Sequence, residues 1–198
     1  MKLGFLASNS GSSLRAIVAA IEAGNLFAEA RLVVSNKPGA PALAFATAHG
    51  IPTRVIPTVK SPDRADEDLA MALNDAGVEF VILSGYLRKL GPRTLAAYRN
   101  RILNIHPALL PRHGGPGMYG RRVHEAVLGA GDPVSGATVH LVDEEYDHGE
   151  AIARVEVPVL PGDEAADLES RVMAAEPKLF VETLQRLAGG TLWFPERS

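Results

Sequence analysis

The chain has 198 residues, 46% of them hydrophobic, and a formal net charge of −3. That length and composition suit one domain with a substantial core, and the slight acidity gives no general reason to expect nucleic acid or an anionic membrane as a partner. The absence of cysteine excludes disulfides, thiol catalysis and cysteine-ligated zinc; no apolar run approaches the ~20 residues of a membrane span.

The first residues, MKLGFLASNSGSSL, lack the long apolar segment of a signal peptide, so a cytoplasmic location is expected. Short apolar runs then alternate with longer amphipathic ones. LGFLAS (3–8), ARLVVS (30–35), PTRVIP (52–57), FVILSG (80–85) and RILNIHP (101–107) read as strands, several of them continuously apolar, as in a sheet covered on both faces. Helices are expected at 12–24, 41–49, 63–76 and about 91–98, with Asp63 as a cap and Pro92 in a first turn. After residue 107 the pattern changes. A Gly-rich loop (113–120) leads to a helix at 121–130, two strand-like runs (136–144 and 151–160) pair antiparallel across a short loop, and a last helix runs from about 164 to 188 before Gly189-Gly190. The expectation is an α/β, Rossmann-like, mostly parallel open sheet with helices on both faces and an antiparallel strand pair near the C-terminal end.

In such sheets ligands sit outside the carboxyl ends of the strands. Asn104 and His106 close the fifth strand, and their i, i+2 spacing turns both side chains to one face. Pro107 holds His106 toward extended backbone. Asn offers an amide donor and His a proton near neutral pH, a pair suited to a developing oxyanion; a cap and a satisfied core histidine are the plainer alternative. The acidic stretch VDEEYDHGE (142–150) reads mostly as a solvated turn, but Asp147, between two apolar strands, is placed to orient a histidine or relay a proton. A metal held by His140, Asp147, His148 and Glu150 is the rival reading; the spacing matches no zinc motif, and no metal is expected. His140, inside an apolar strand, is either a satisfied core residue or a partner of the site. Gly11, Ser12 and Ser13 open a helix and suit a phosphate, although serine and glycine there also cap helices. The loop RHGGPGMYG (112–120) has the glycine content of a segment that closes over a ligand. His113 and His124 have no evident partner and read as surface or loop residues.

Residues 103–111, 115–128 and 136–149 resemble the glycinamide ribonucleotide transformylases, the folate-dependent phosphoribosylglycinamide formyltransferases, and the resemblance extends from the serine-rich loop to Glu176. The N-I-H-P-x-L-L-P segment is shared with other folate-dependent formyltransferases; its combination with the phosphate-type loop and GMYGRRVHEAV (117–127) is the specific part. The resemblance implies a single formyltransferase domain over residues 1–198 and transfer of a formyl group from 10-formyltetrahydrofolate to the amine of glycinamide ribonucleotide in purine synthesis, without a metal. It implies that Asn104 and His106 stabilise the oxyanion while Asp147 keeps His106 charged and passes protons. It assigns Leu87, Arg88, Lys89 and Leu90, with Asn104 and His140, to the folate, and Gly11, Ser12, Ser13, Arg64 and Glu176 to the ribotide. The partners would be small molecules, with no nucleic acid or membrane, and the protein a monomer or homodimer.

Two departures stand out. The family loop commonly reads Ser-Gly-x-Gly-Ser-Asn where this chain has Ser8-Asn9-Ser10-Gly11-Ser12-Ser13, and Asp-Gly-Gly where it has Asp147-His148-Gly149. His148 would narrow the folate pocket or alter the proton relay. A methionyl-tRNA formyltransferase would be expected to add a further domain and a basic surface, and a formyltetrahydrofolate hydrolase a further N-terminal domain. A dinucleotide-binding module would need a glycine spacing that residues 8–13 lack.

Overall fold

The computed structural model describes residues 1–192. Seven strands, β1 (Lys2–Leu6), β2 (Glu29–Ser35), β3 (Thr53–Val55), β4 (Phe80–Leu83), β5 (Ile102–His106), β6 (Val134–Leu141) and β7 (Ala151–Pro158), form one sheet in the order β3-β2-β1-β4-β5-β6-β7. The first five run parallel, and β6 and β7 are antiparallel to their neighbours. The order reverses at β1, where β2 and β4 flank it, so a crevice opens beyond the carboxyl ends of β1 and β4.

Six helices cover the sheet: α1 (Ser12–Glu22), α2 (Pro41–Ala48), α3 (Pro62–Asp75), α4 (Pro92–Ala97), α5 (Arg121–Gly129) and α6 (Ala165–Ala188). Proline begins α2, α3 and α4, where its missing N–H costs nothing and its fixed φ suits the helix. Asp63, expected as a cap, instead lies inside the first turn of α3, with Ser61 in the capping position; its charge still favours that end of the helix. At α6 the Asp167 carboxylate accepts the Glu164 N–H at 2.9 Å, and the helix ends at Gly189 as the glycine pair predicts.

The two faces are unequal. Leu14, Ile17 and Val18 of α1, Ala42 and Leu43 of α2, Val127 of α5 and Leu168, Val172 and Phe180 of α6 bury one face. Leu69, Ala72 and Leu73 of α3, with Tyr98 just after α4, bury the other. Burial of this apolar surface is the main stabilising term. Between α3 and α4 a buried carboxylate does a local job: Asp66 accepts from the Arg93 and Thr94 amides at 2.8 and 3.1 Å and from the Thr94 hydroxyl at 2.6 Å, so α3 caps the start of α4.

Candidate active site

The antiparallel pairing of β5 with β6 sets Asn104 opposite His140 and His106 opposite Thr138. Cross-strand neighbours sit within side-chain reach, and Asn104 Nδ2 lies 3.1 Å from His140 Nε2. The other ring nitrogen, Nδ1, is 2.7 Å from the Leu141 carbonyl, which can only accept. Nδ1 therefore carries the proton, and neutral Nε2 accepts from the Asn104 amide. Burial lowers the His140 pKa, against the opposing pull of the Leu141 carbonyl and Asp147, which agrees with that neutral tautomer. Asn104 thus has its amide nitrogen identified and one of its two N–H groups left over.

His106 is buried and both its ring nitrogens face oxygen. Nε2 is 2.8 Å from the His113 carbonyl, and Nδ1 is 3.4 Å from Asp147 Oδ2, an ion-pair contact longer than a well-formed hydrogen bond. A doubly protonated ring satisfies both. Asp147 adopts a left-handed backbone (φ 56°), a region that aspartate tolerates, and its Oδ2 also accepts the Gly115 amide at 3.0 Å. Burial pushes the Asp147 carboxyl up, but His106, the Gly115 amide and His140 outweigh it and hold the group below the usual carboxylate range. Gly149, two residues on, has no room for a side chain: a Cβ there would lie 2.0 Å from the Leu141 carbonyl oxygen. The turn that delivers Asp147 depends on that contact.

The ends of β1 and β4 are organised differently. Ser8 is fully buried; its hydroxyl donates to Asn36 Oδ1 at 2.6 Å and accepts the Leu87 amide at 2.8 Å. The Ser84 hydroxyl accepts the Leu14 amide at 2.9 Å. Gly11 turns into α1 with a left-handed φ of 66°, and the Arg15 amide returns to its carbonyl. The Ser12 and Ser13 amides at the helix start have no protein acceptor among the described residues, which suits an anion. Ser12 is exposed, whereas the Ser13 side chain is buried. Lys37 lies beside this loop, its ammonium 3.1 Å from Asn9 Oδ1.

The remaining expected site residues divide. Leu87, Arg88 and Lys89 are exposed along the crevice and Leu90 is buried. The Lys89 ammonium stands 5.7 Å from the centre of the Tyr146 ring, so this segment faces the β6–β7 loop. A cavity of about 520 Å³ lies between α4 and that loop, lined by Leu95, Val142, Asp143 and His148 among others. Glu176 of α6 faces His106 electrostatically, and burial pushes its carboxyl up to about 7.

The other residues singled out lie as follows. Arg64 is on the exposed side of α3, 3.9 Å from Asp68. His140 is only 2% exposed, with Asn104 at 3.1 Å and Asp147 Oδ1 at 3.6 Å from its Nε2. His148 pairs with Asp143 at 3.2 Å, away from the Asp147 carboxylate. His124, expected at the surface, is 1% exposed on α5; its Nδ1 has no hydrogen-bond partner among the described residues, and burial lowers its pKa. His113, expected to lack a partner, binds Asp132 at 2.7 Å. Among the described residues no group of three or more His, Asp or Glu side chains has the arrangement to hold a metal ion.

A strand end bearing Asn and His, an ionised Asp from the antiparallel loop and an anion-ready helix start is the arrangement of a group-transfer site. The family model for formyl transferases matches residues 1–184. The chloroplastic phosphoribosylglycinamide formyltransferase of Arabidopsis thaliana is 40% identical over 186 residues, covering 92% of this chain and 64% of the relative. That of Vigna unguiculata is 39% identical over 188 residues, covering 94% and 60%. The chain therefore spans somewhat less than two thirds of the length of these curated relatives. The solved structure of glycinamide ribonucleotide transformylase 1 from Symbiobacterium toebii superposes with a TM-score of 0.89 at 34% identity, covering 100% of this chain and 92% of that one. The chain belongs to the formyl transferase family and, within it, to the phosphoribosylglycinamide formyltransferases.

Proposed function

We propose that this chain transfers the formyl group of 10-formyltetrahydrofolate to the amine of glycinamide ribonucleotide, giving formylglycinamide ribonucleotide and tetrahydrofolate in purine synthesis. The observation that carries the reading is the convergence of Asn104, His106 and Asp147 on one strand end. The amine nitrogen bonds to the formyl carbon, and the carbonyl electrons move onto oxygen. The free N–H of Asn104 donates to that oxyanion and the positive charge of the His106 ring, whose own N–H groups face His113 and Asp147, stabilises it through space, with both groups fixed before charge develops. The Asp147 carboxylate, held ionised, takes up the amine's proton while His106 keeps its charge. As the tetrahedral carbon collapses, its bond to N10 of the folate breaks and N10 takes a proton.

The folate would occupy the crevice between residues 87–90 and the β6–β7 loop, where backbone groups and the neighbouring cavity suit a flat heterocycle. The ribotide phosphate would sit on the Gly11, Ser12 and Ser13 segment at the start of α1, with Lys37 as a nearby cation. Glu176, its carboxyl pushed up to about 7 and so about half protonated at neutral pH, would donate to the ribotide in its protonated form. No step calls for a metal, and the reading takes residues 1–198 as a single formyltransferase domain acting on small molecules in the cytoplasm, as a monomer or homodimer.

A steady-state assay with formyl folate, run with and without glycinamide ribonucleotide and in the presence of a chelator, tests the proposal. Ribotide-dependent release of tetrahydrofolate, unchanged by chelator, is expected. Turnover without ribotide would mean hydrolysis instead, and turnover abolished by chelator would bring a metal into the site.

A further inference from the structure

The base of the loop 112–120 is fastened to the catalytic groups at two points. The His113 carbonyl faces His106 Nε2 at 2.8 Å, and the Gly115 amide donates to Asp147 Oδ2 at 3.0 Å. His113 reaches this position in a left-handed backbone conformation (φ 54°), uncommon for a residue with a side chain. Something must hold it there. Its ring Nε2 donates to Asp132 Oδ2 at 2.7 Å, and Arg112 binds the other oxygen of the same carboxylate. The pair is not an exposed one, of the sort worth little: the side chains of His113 and Asp132 are 15% and 9% exposed. Asp132 is itself anchored at the end of α5, where its amide donates to the Val127 carbonyl.

We propose that His113 is a positioning residue for His106, and that Asp132 is the anchor that makes it one. Asp132 holds the His113 ring, the ring fixes the left-handed backbone, and the His113 carbonyl then accepts Nε2–H of His106. With Nε2 held, the ring cannot flip, and Nδ1 stays directed at Asp147. The chain of contacts runs from the end of α5, outside the substrate crevice, to the reacting strand end. Other charged or titratable groups around His106, namely His140 on β6, His124 on α5 and Glu176 on α6, act on it only through space. This inference rests on the formyl-transfer reading for its kinetic test but not for its spectroscopic one.

Three variants separate positioning from simple support of the fold. In Asp132→Ala the His113 ring loses its anchor. In His113→Asn the residue still tolerates a left-handed backbone but is too short to reach Asp132. In Asp132→Asn an amide oxygen remains to accept from the His113 ring. Ribotide-dependent kcat per folded molecule should fall about tenfold or more in the first two, as expected for a misplaced catalytic group, with KM for both substrates within about twofold, since neither residue touches a substrate. Asp132→Asn should recover most of the loss. In nitrogen-15 spectra of histidine-labelled protein, the slowly exchanging Nε2–H signal of His106 should be present in the wild type and in Asp132→Asn and lost in the other two. If Asp132→Ala only lowers Tm, leaving kcat and that signal unchanged, the inference is overturned; a fall in kcat with the signal unmoved overturns it as well. Should the wild type show no ribotide-dependent turnover, the functional reading fails while the spectra still decide the positioning.

Discussion

The two halves of the sheet solve different problems. On the parallel side, the ends of β1 and β4 use hydroxyls that are themselves buried: Ser8 and Ser84 hold backbone amides and are not available to a ligand. What remains free there among the described residues is the backbone at Ser12 and Ser13, with the exposed Ser12 hydroxyl beside it. On the antiparallel side, β5, β6 and the β6–β7 loop bring side chains together, Asn104 to His140 and His106 to Asp147. Backbone N–H groups carry fixed partial charge and do not titrate, which suits the recognition of an anion. Side chains exchange protons, which suits chemistry. Strand β5 is the seam, parallel to β4 on one edge and antiparallel to β6 on the other. That placement lets one strand end belong to the ligand crevice and to the acid–base cluster at once.

The division makes predictions of unequal size. The largest concerns the antiparallel side. Asn104→Ala removes an oxyanion donor and leaves the neutral Nε2 of buried His140 without its partner; kcat should fall about 10²–10³-fold, while equilibrium binding of ribotide, measured by calorimetry, changes little. A matching loss of ribotide affinity would erase the division. Next, Ser12→Asp puts a negative charge at the start of α1, where an anion is to bind. Ribotide KM should rise about tenfold or more from charge repulsion with folate KM unchanged; a ribotide KM equal to that of the wild type would remove this loop from the site.

A third, smaller effect sharpens the parallel side. Asp66→Ala uncaps α4, directly after residues 87–90. Denaturant unfolding should show a loss of about 1–3 kcal/mol, the usual scale for buried donors left unpaired, and folate KM should rise with ribotide KM steady. Equal effects on both substrates would show that the folate segment is not organised separately.

The smallest is a dependence on pH. The folded-state pKa of Glu176 is about 7, above its ordinary value of 4.5, because burial disfavours the charged form. The folded protein therefore holds a proton that the unfolded chain has released, and the associated stability is present at low pH and lost as pH rises through about 7. Glu176→Gln removes that loss. The difference in Tm between variant and wild type should move in favour of the variant between about pH 5 and 8; a difference that stays flat across that range would place Glu176 in solvent.

Much of this was legible in the sequence because the signals were periodic or local. The continuous apolar runs gave the parallel strands, Pro92 marked a helix start, and the i, i+2 spacing of Asn104 and His106 put both on one face of β5. The phosphate-type loop was readable as a helix start, although only the structure shows that its first amides are open and that Ser13 is turned inward. What escaped was set by pairing between distant segments. Asp132 sits in an unremarkable turn after a helix, and nothing in its neighbourhood signals that it holds His113 nineteen residues earlier. His124 lies in a charged segment with Arg121, Arg122 and Glu125, yet the packing of α5 buries it. Arg64, assigned to the ribotide by the resemblance, lies exposed on α3 beside Asp68.

The most direct test of the division between recognition and chemistry is His106→Ala, assayed for formyl transfer and, by titration calorimetry, for binding of each substrate. The expected result is a fall in kcat of about 10²–10³-fold, the scale for a lost oxyanion stabiliser, with both dissociation constants within a few-fold of wild type. Substrate affinities that collapse along with turnover, or a kcat per folded molecule that survives, would contradict it and make His106 a residue of the core.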